Sequence, residues 1–332
     1  MTPLKATRDI ELLPTSVARL ISEGTDAQRI AQISSGVFIA HAAVEASIEE
    51  LVELCVTDRR SDPSGALLTA ESGMGKSYMI SALARRIIET NKNDGSAPTD
   101  LVTVEPSWEN GDPEIFLKEI AKALKLKIER RTPIFDAVVE KMLEMNLAAL
   151  VIEDIHDLFD LPRSKILSPL KTIRRLINST KIPIICTCLP DALHKVSIDR
   201  QLDRRLIVKV AIPNWSFDEN FREFITELEK HLPLRGASGL ATKDIMQWLL
   251  KYSSTTFWIV RVIQKSAIQA IREGSERITL DKLKESFTQS PHTTRSAKDA
   301  IKRRSKKFDT SQGLPAEDAE SESSASGGGE TL

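Results

Sequence analysis

Residues 66–80 read A-L-L-T-A-E-S-G-M-G-K-S-Y-M-I, and residues 149–156 read A-L-V-I-E-D-I-H. The first stretch is an apolar run, a glycine turn, and then Lys76-Ser77 opening a helix. In such a turn the backbone N–H groups cradle phosphate oxygens, the lysine reaches the β- and γ-phosphates, and the serine hydroxyl binds Mg²⁺. The reading assigns ATP to Ser72, Gly73, Met74, Gly75, Lys76, Ser77 and Tyr78. The second stretch is a buried strand, Ala148 to Ile152, ending in Glu153 and Asp154. A carboxylate at the tip of a strand beside the phosphate turn faces Mg²⁺ or the attacking water. In this order and spacing the two stretches predict a nucleoside-triphosphate site. An ordinary strand-to-helix turn would leave Lys-Ser directly after glycine unexplained. One position departs from the usual pattern: Ala70 stands where a glycine is expected six residues before the lysine. Alanine is tolerated there if its φ is negative.

Composition sets the outer bounds. The chain has 332 residues, with 46 Lys and Arg against 47 Asp and Glu, a net charge of −1. That length accommodates two domains and a sizeable core. A charge near zero means that any DNA contact must come from a local patch. No run of about 18 apolar residues occurs, and the first residues lack the apolar region of a secretion signal, so no membrane association is expected. Of three cysteines, Cys186 and Cys188 alternate on one strand. Without a second pair they read as core thiols rather than a zinc site. A reducing cytoplasm is the expected setting.

Around the two stretches the chain alternates strand and helix. Residues 1–27 are polar and read as an N-terminal arm, and 28–60 read as helical. Helix 76–90 follows the turn, and residues 101–105 form a β-rich run. Asp112-Pro113 and Thr132-Pro133 each start a helix, with Pro at the first helical position. Strand 148–153, helix 164–179, strand 182–188, a helical stretch 190–205 and strand 206–212 come next. Near-continuous apolar strands between helices predict an α/β fold with a parallel sheet covered on both faces, from 28 to 213. After Pro213 the β signals stop. Helices at 217–231, 242–252, 255–273 and 280–288 predict a small helical lid over 214–290. Residues 291–332 are first basic and then acidic, Ser/Gly-rich and short of apolar residues, and read as a disordered tail.

A parallel ATPase sheet followed by a helical lid resembles AAA+ proteins. More narrowly, the chain resembles the TniB/TnsC family, ATP-dependent regulators of bacterial DNA transposition. The resemblance rests on G-M-G-K-S at 73–77, V-I-E-D-I-H-D-L at 151–158, K-I-P-I-I at 181–185 and D-R-Q-L-D-R-R-L at 199–206. It extends through I-P-N-W at 212–215, L-P-L-R at 232–235 and A-I-R-E-G-S-E-R-I-T at 270–279.

The resemblance implies roles. Glu153 takes the metal-side position together with Ser77, and Asp154 the water-activating one. The family order is Asp-Glu, so the shorter Asp154 draws its carboxylate back by about 1 Å, a misplacement that can cost on the order of 10²-fold in rate. The family's polar sensor falls on Leu189, which cannot hydrogen-bond; Thr187 on the same strand is the substitute, or simply a β-branched strand residue. Arg205, with Arg204 beside it and Arg200 one turn back, falls on the arginine that reaches a neighbouring subunit's γ-phosphate. A solvated basic helix end is the alternative. Arg261 is the candidate second sensor, although Ser254 and Phe257 replace the family's small glycines. Lys125, Lys127, Arg130 and Arg131 are the candidate contacts to double-stranded DNA, where phosphate binding needs only positive charge and carries no sequence information. The implied partners are duplex DNA, a transposase, a target-selection protein and further copies of the chain in a ring or filament. Two other readings stand beside this one: a non-hydrolysing, ATP-gated DNA scaffold, and a helicase-loader or initiator of replication.

Overall fold

The computed structural model describes residues 10–36, 39, 42–56, 64–92, 95, 97–128 and 133–288. Residues 1–9, Arg130, Arg131 and the tail 291–332 lie outside the described residues. The described residues from Ile10 to Ser286 belong to one compact unit.

Five parallel strands form one sheet in the order β2-β3-β4-β1-β5. They are β1 (Gly65–Ala70), β2 (Leu101–Val104), β3 (Ala149–Ile152), β4 (Ile184–Cys188) and β5 (Leu206–Ile212). Every residue of β1, β3 and β4 is buried, as strands covered on both faces require. Alternation splits their side chains between two cores. Leu67, Leu150, Ile152, Ile184 and Cys186 pack toward α5 (Pro113–Ala123), α6 (Ile134–Glu144) and α7 (Arg163–Thr180). Ala66, Leu68, Val151 and Ile185 pack toward α3 (Ala42–Val56) and α4 (Lys76–Thr90). The edge strand β5 alternates buried and open positions, and Ile207 is 63% exposed. Two short helices, α8 (Leu193–Val196) and α9 (Arg200–Asp203), lead into β5.

The expected element order holds from the phosphate turn onward, and the segment before it differs: the stretch read as an arm contains a helix with Val17 and Ile21 buried. Residues 28–60 are not one helix. α1 (Thr15–Glu23) is followed by α2 (Asp26–Ser35), which stops at Gly36 with φ of 73°, and α3 begins afresh at Ala42. With ψ of 166° the Gly36 backbone lies outside the left-handed helical region, in a conformation that glycine adopts at no steric cost, and it ends the helix. Thr25 caps α2 reciprocally with Gln28, and Asp112 caps α5 through the Glu114 N–H.

The lid comprises α10 (Glu219–Lys230), α11 (Lys243–Tyr252), α12 (Thr256–Arg272) and α13 (Leu280–Thr288). Phe221, Phe224, Ile259, Ile263 and Leu283 form its core, and Ile33 of α2 joins them. Arg29 fastens the attachment. Its guanidinium is fully buried and bonds both Glu276 oxygens at 2.7 and 2.8 Å, Asp26 at 2.7 Å and the Pro233 carbonyl at 3.1 Å. Gln264 of α12 adds a bond to the Ile33 carbonyl at 2.8 Å. The boundary expected between residues 27 and 28 therefore falls inside a helix that packs on the lid. The L-P-L-R and S-E-R-I-T strings supply the other half of this junction.

Trp108 is 4% exposed and stacks on Phe116 with centroids 4.9 Å apart, so its ring belongs to the core. The three cysteines are free and buried. Burial pushes the Cys188 thiol up to about 11. Among the described residues no helix is long and apolar enough to cross a membrane.

Candidate nucleotide-binding site

In an open parallel sheet a ligand crevice forms beyond the strand C-termini where the strand order reverses. Here that point is the end of β1, which has β4 on one side and β5 on the other. A groove of about 450 Å³ opens there. Its floor is Ser72–Met79 with Asp154, and its roof is Thr256, Phe257, Val260, Arg261 and Gln264 of the lid. Ser34, Ser35, Gly36, Ile39 and Val44 form one wall, and Ile212, Trp215 and Phe224 another. A few hundred cubic ångströms lined by apolar walls and a few converging polar groups suits a small organic ligand.

The turn has the geometry that a phosphate cradle needs. Ala70 closes β1 in extended backbone, so the missing glycine costs nothing there. Gly73 and Gly75 have φ of 79° and 98°. A Cβ on Gly75 would meet no atom within 4 Å, leaving open space over the turn. No side chain caps α4, so its first N–H groups and positive dipole end face the groove unshielded. Lys76 Nζ donates to the Ala70 carbonyl at 3.0 Å, which holds the ammonium across the turn. These features fit a polyphosphate.

The lid sits directly on this turn. The Phe257 N–H donates to the Gly73 carbonyl at 2.8 Å, and Trp215 Nε1 donates to Thr256 Oγ1 at 2.9 Å. A Cβ on Gly73 would come within 3.0 Å of the Phe257 Cβ. Of the expected ligand contacts, Ser72 through Tyr78 and Arg261 all line the groove. Sequence reasoning missed Trp215, Phe257, Gln264 and the end of α2. Trp215 stands in the I-P-N-W string and carries that much of a signal, whereas the end of α2 has no local signature.

The acidic tip follows β3. Asp154 adopts a left-handed φ of 48° and lines the groove. Its N–H donates to Thr187 Oγ1 at 3.0 Å. Thr187, 1% exposed, thus holds the residue that lines the groove and stands one step behind it. His156 lies 3.7 Å from Asp154, Nδ1 to Oδ1. The half-buried Glu153 has its carboxyl held above the usual range, first by burial and then by the charges of Asp154 and Glu105, with Lys76 opposing. A cation beside Glu153 would reverse that penalty. Ser77 in the first turn of α4 and Glu153 are hard oxygen donors that fit Mg²⁺. Among the described residues no cluster of three acidic, His or Cys side chains could hold a metal alone. The rest of an ion's shell would come from phosphate oxygens and water, as is usual for Mg²⁺.

Arg204 and Arg205 lie elsewhere. They precede β5, whose Leu206 pairs with Gly65 at the start of β1, and the Arg205 carbonyl accepts from the Gly65 N–H at 2.7 Å. The phosphate turn is at the other end of β1, roughly 16 Å away at about 3.3 Å per residue. Neither arginine reaches its own groove. Lys125 and Lys127 are exposed after α5.

The sequence profile of the family described as "Bacterial TniB protein" matches residues 29–217. The chain belongs to the TniB family. No curated protein matches it. Among solved structures, this TniB chain is similar to the ORC1 protein of Aeropyrum pernix in complex with DNA, at 15% identity and TM-score 0.55, over 84% of this chain and 80% of that one. The ORC2 protein of the same organism, with ADPNP and ADP, matches at 14% and 0.56 over 82% and 71%. Domain III of the replication initiation protein DnaA of Thermotoga maritima matches at 12% and 0.50 over 76% and 93%. Identities this low establish the fold alone. The TniB chain has the P-loop AAA+ fold, a parallel α/β core followed by a helical lid.

Proposed function

We propose that this TniB protein is an ATP-dependent, self-assembling DNA-binding ATPase that regulates transposition, linking target DNA and a target-selection protein to a transposase. The observation that carries the reading is the groove itself: an open glycine turn, an acidic strand tip and a lid arginine around one cavity, in a chain of this family. On this reading ATP lies over Ser72–Tyr78, with Lys76 against its β- and γ-phosphates. Bound Mg²⁺ would neutralise phosphate charge, held by Ser77 and Glu153. Asp154 orients the attacking water, Thr187 holds Asp154, and Arg261 follows the phosphates from the lid.

Arg204 and Arg205 serve the neighbour's site. A side chain about one sheet length from its own groove can act on a nucleotide only across a subunit boundary, and arginines supplied in that way raise turnover by about 10³–10⁵. Duplex DNA is held by Lys125, Lys127, Arg130 and Arg131 through phosphates, many weak contacts acting together once ATP has aligned the subunits. The buried free thiols suit work in the cytoplasm.

Two observations favour other readings. The likeness to ORC1 with DNA and to a replication initiation protein suits an initiator, and the Glu-Asp order at 153–154 suits a scaffold that hydrolyses ATP negligibly. Turnover measured with and without duplex DNA, and DNA transfer by a transposase assayed with and without this protein, separate the three. DNA-stimulated turnover with transposase dependence supports the proposal. Turnover without any effect on transposition favours the initiator, and ATP-gated DNA binding without turnover favours the scaffold.

A further inference from the structure

The arginine-bearing turn before β5 is anchored by a buried acid that the proposed chemistry does not use. α9 is four residues long, too short to hold its own shape. Asp199 fixes it from below. This residue is 7% exposed, and its Oδ1 accepts from the N–H groups of Gln201 at 3.0 Å and Leu202 at 3.1 Å. Arg174 of α7 donates from Nη1 to both Asp199 oxygens, at 3.1 and 3.2 Å. Its neighbours Ile173, Leu176 and Ile177 are wholly buried, so the anchor is tied to the sheet's own core. Asp203 is engaged as well, by Lys209 Nζ at 2.9 Å. Both carboxylates of the turn are thus committed internally. Among the described residues the guanidinium groups of Arg200 and Arg204 make no hydrogen bond or ion pair, and both residues are exposed.

We propose that Arg174 and Asp199 are positioning residues for hydrolysis in trans, an ion pair that sets the height and direction of the arginine turn offered to the next subunit. The inference rests on the reading that this turn serves a neighbour's nucleotide. A displacement of about 1 Å at such a distance can cost on the order of 10²-fold in rate. Breaking the pair lowers assembly-dependent turnover while the same subunit's groove, at the far end of β1, keeps its ATP affinity.

Two variants separate the pair from the fold. Asp199→Asn keeps an oxygen that caps α9, since asparagine is as good a cap as aspartate, and loses the charge toward Arg174. Arg174→Met keeps the buried aliphatic stem. Single-turnover ATP hydrolysis is measured over a range of subunit concentrations, with fluorescent-nucleotide binding as the check on each variant's own groove. Each variant is then mixed, before ATP is added, with subunits carrying both Glu153→Gln and Asp154→Asn, which bind ATP and offer intact arginines but do not hydrolyse. The double variant Arg204→Ala/Arg205→Ala is treated identically.

We expect Arg174→Met and Asp199→Asn to turn over about 10- to 100-fold more slowly at unchanged ATP affinity, and to recover in the mixture, as the arginine double variant does. Wild-type turnover in either variant overturns the proposal. So does a loss that the mixture does not restore while the arginine double variant is restored, because the fault then lies inside the subunit. If the arginine double variant keeps full turnover, or loses it without recovery, the reading beneath fails and the proposal falls with it.

Discussion

Glu276→Gln should destabilise the protein well beyond what one surface carboxylate is worth. The Arg29 guanidinium is completely buried and Glu276 is 16% exposed, with two bonds between them at 2.7 and 2.8 Å. Removing one partner of a buried pair leaves an uncompensated charge, which costs about 3–5 kcal/mol. Asp26 remains on the same guanidinium at 2.7 Å but is 64% exposed, so it offsets only part of the loss. The lower end, about 3 kcal/mol, is the expected value, a fall of about 4–5 °C in Tm for a chain of this length. Arg29→Met combined with Glu276→Leu should cost less than Glu276→Gln alone, because it removes the stranded charge.

The effect has a pH signature. Burial alone would raise the Glu276 carboxyl, but hydrogen bonds from the Arg29 side chain and the Arg235 N–H outweigh it and hold it below the usual range. A depressed folded value stabilises above the unfolded one, near pH 4.3, and that contribution is lost as pH falls through the folded value. Urea unfolding at pH 7 and at pH 4 should therefore give a gap between wild type and Glu276→Gln that narrows in acid. A gap below about 0.5 kcal/mol at pH 7, or one that widens in acid, would refute the buried-latch argument.

Three further outcomes are expected, two at the groove and one at the basic segment after α5. Lys76→Ala should abolish tight ATP binding, since the turn loses its cation; unchanged affinity in a fluorescent-nucleotide titration would move the site elsewhere. Inverting residues 153–154 to Asp-Glu should raise steady-state turnover by up to about 10²-fold, the cost assigned to a 1 Å withdrawal; a fall would mean that the site is adapted to its own order. Neutralising Lys125, Lys127, Arg130 and Arg131 should weaken duplex binding and flatten its salt dependence by up to about 0.9 for each phosphate no longer neutralised; an unaltered slope together with the disappearance of binding on truncation at Pro291 would assign the DNA interface to the tail.

Local chemistry made the fold and the floor of the groove legible in the sequence. G-M-G-K-S sits between an apolar run and a helix, and the buried strands are apolar throughout, so periodicity and the glycine turn fix the sheet and Ser72–Tyr78. What was not legible is what distant segments do to one another. The end of α2 reaches the groove only because Arg29 and Gln264 fasten that helix to a lid more than 200 residues away in sequence. Thr187 is a polar residue at the expected strand end, but its hydroxyl accepts from the Asp154 N–H, a bond created by a left-handed backbone at 154 that spacing does not reveal. The helical reading of 28–60 overlooked Gly36, whose positive φ ends one helix and frees the chain to line the groove.

On the proposed function, ATP gathers separate subunits onto duplex DNA. Mass photometry on the full chain with a duplex of unrelated sequence tests it most directly, with ATP, with no nucleotide, and with Lys76→Ala subunits. Multi-subunit complexes should form on DNA with ATP alone, with unassembled protein and free DNA in the other two cases. Equal DNA-bound mass in all three would contradict it.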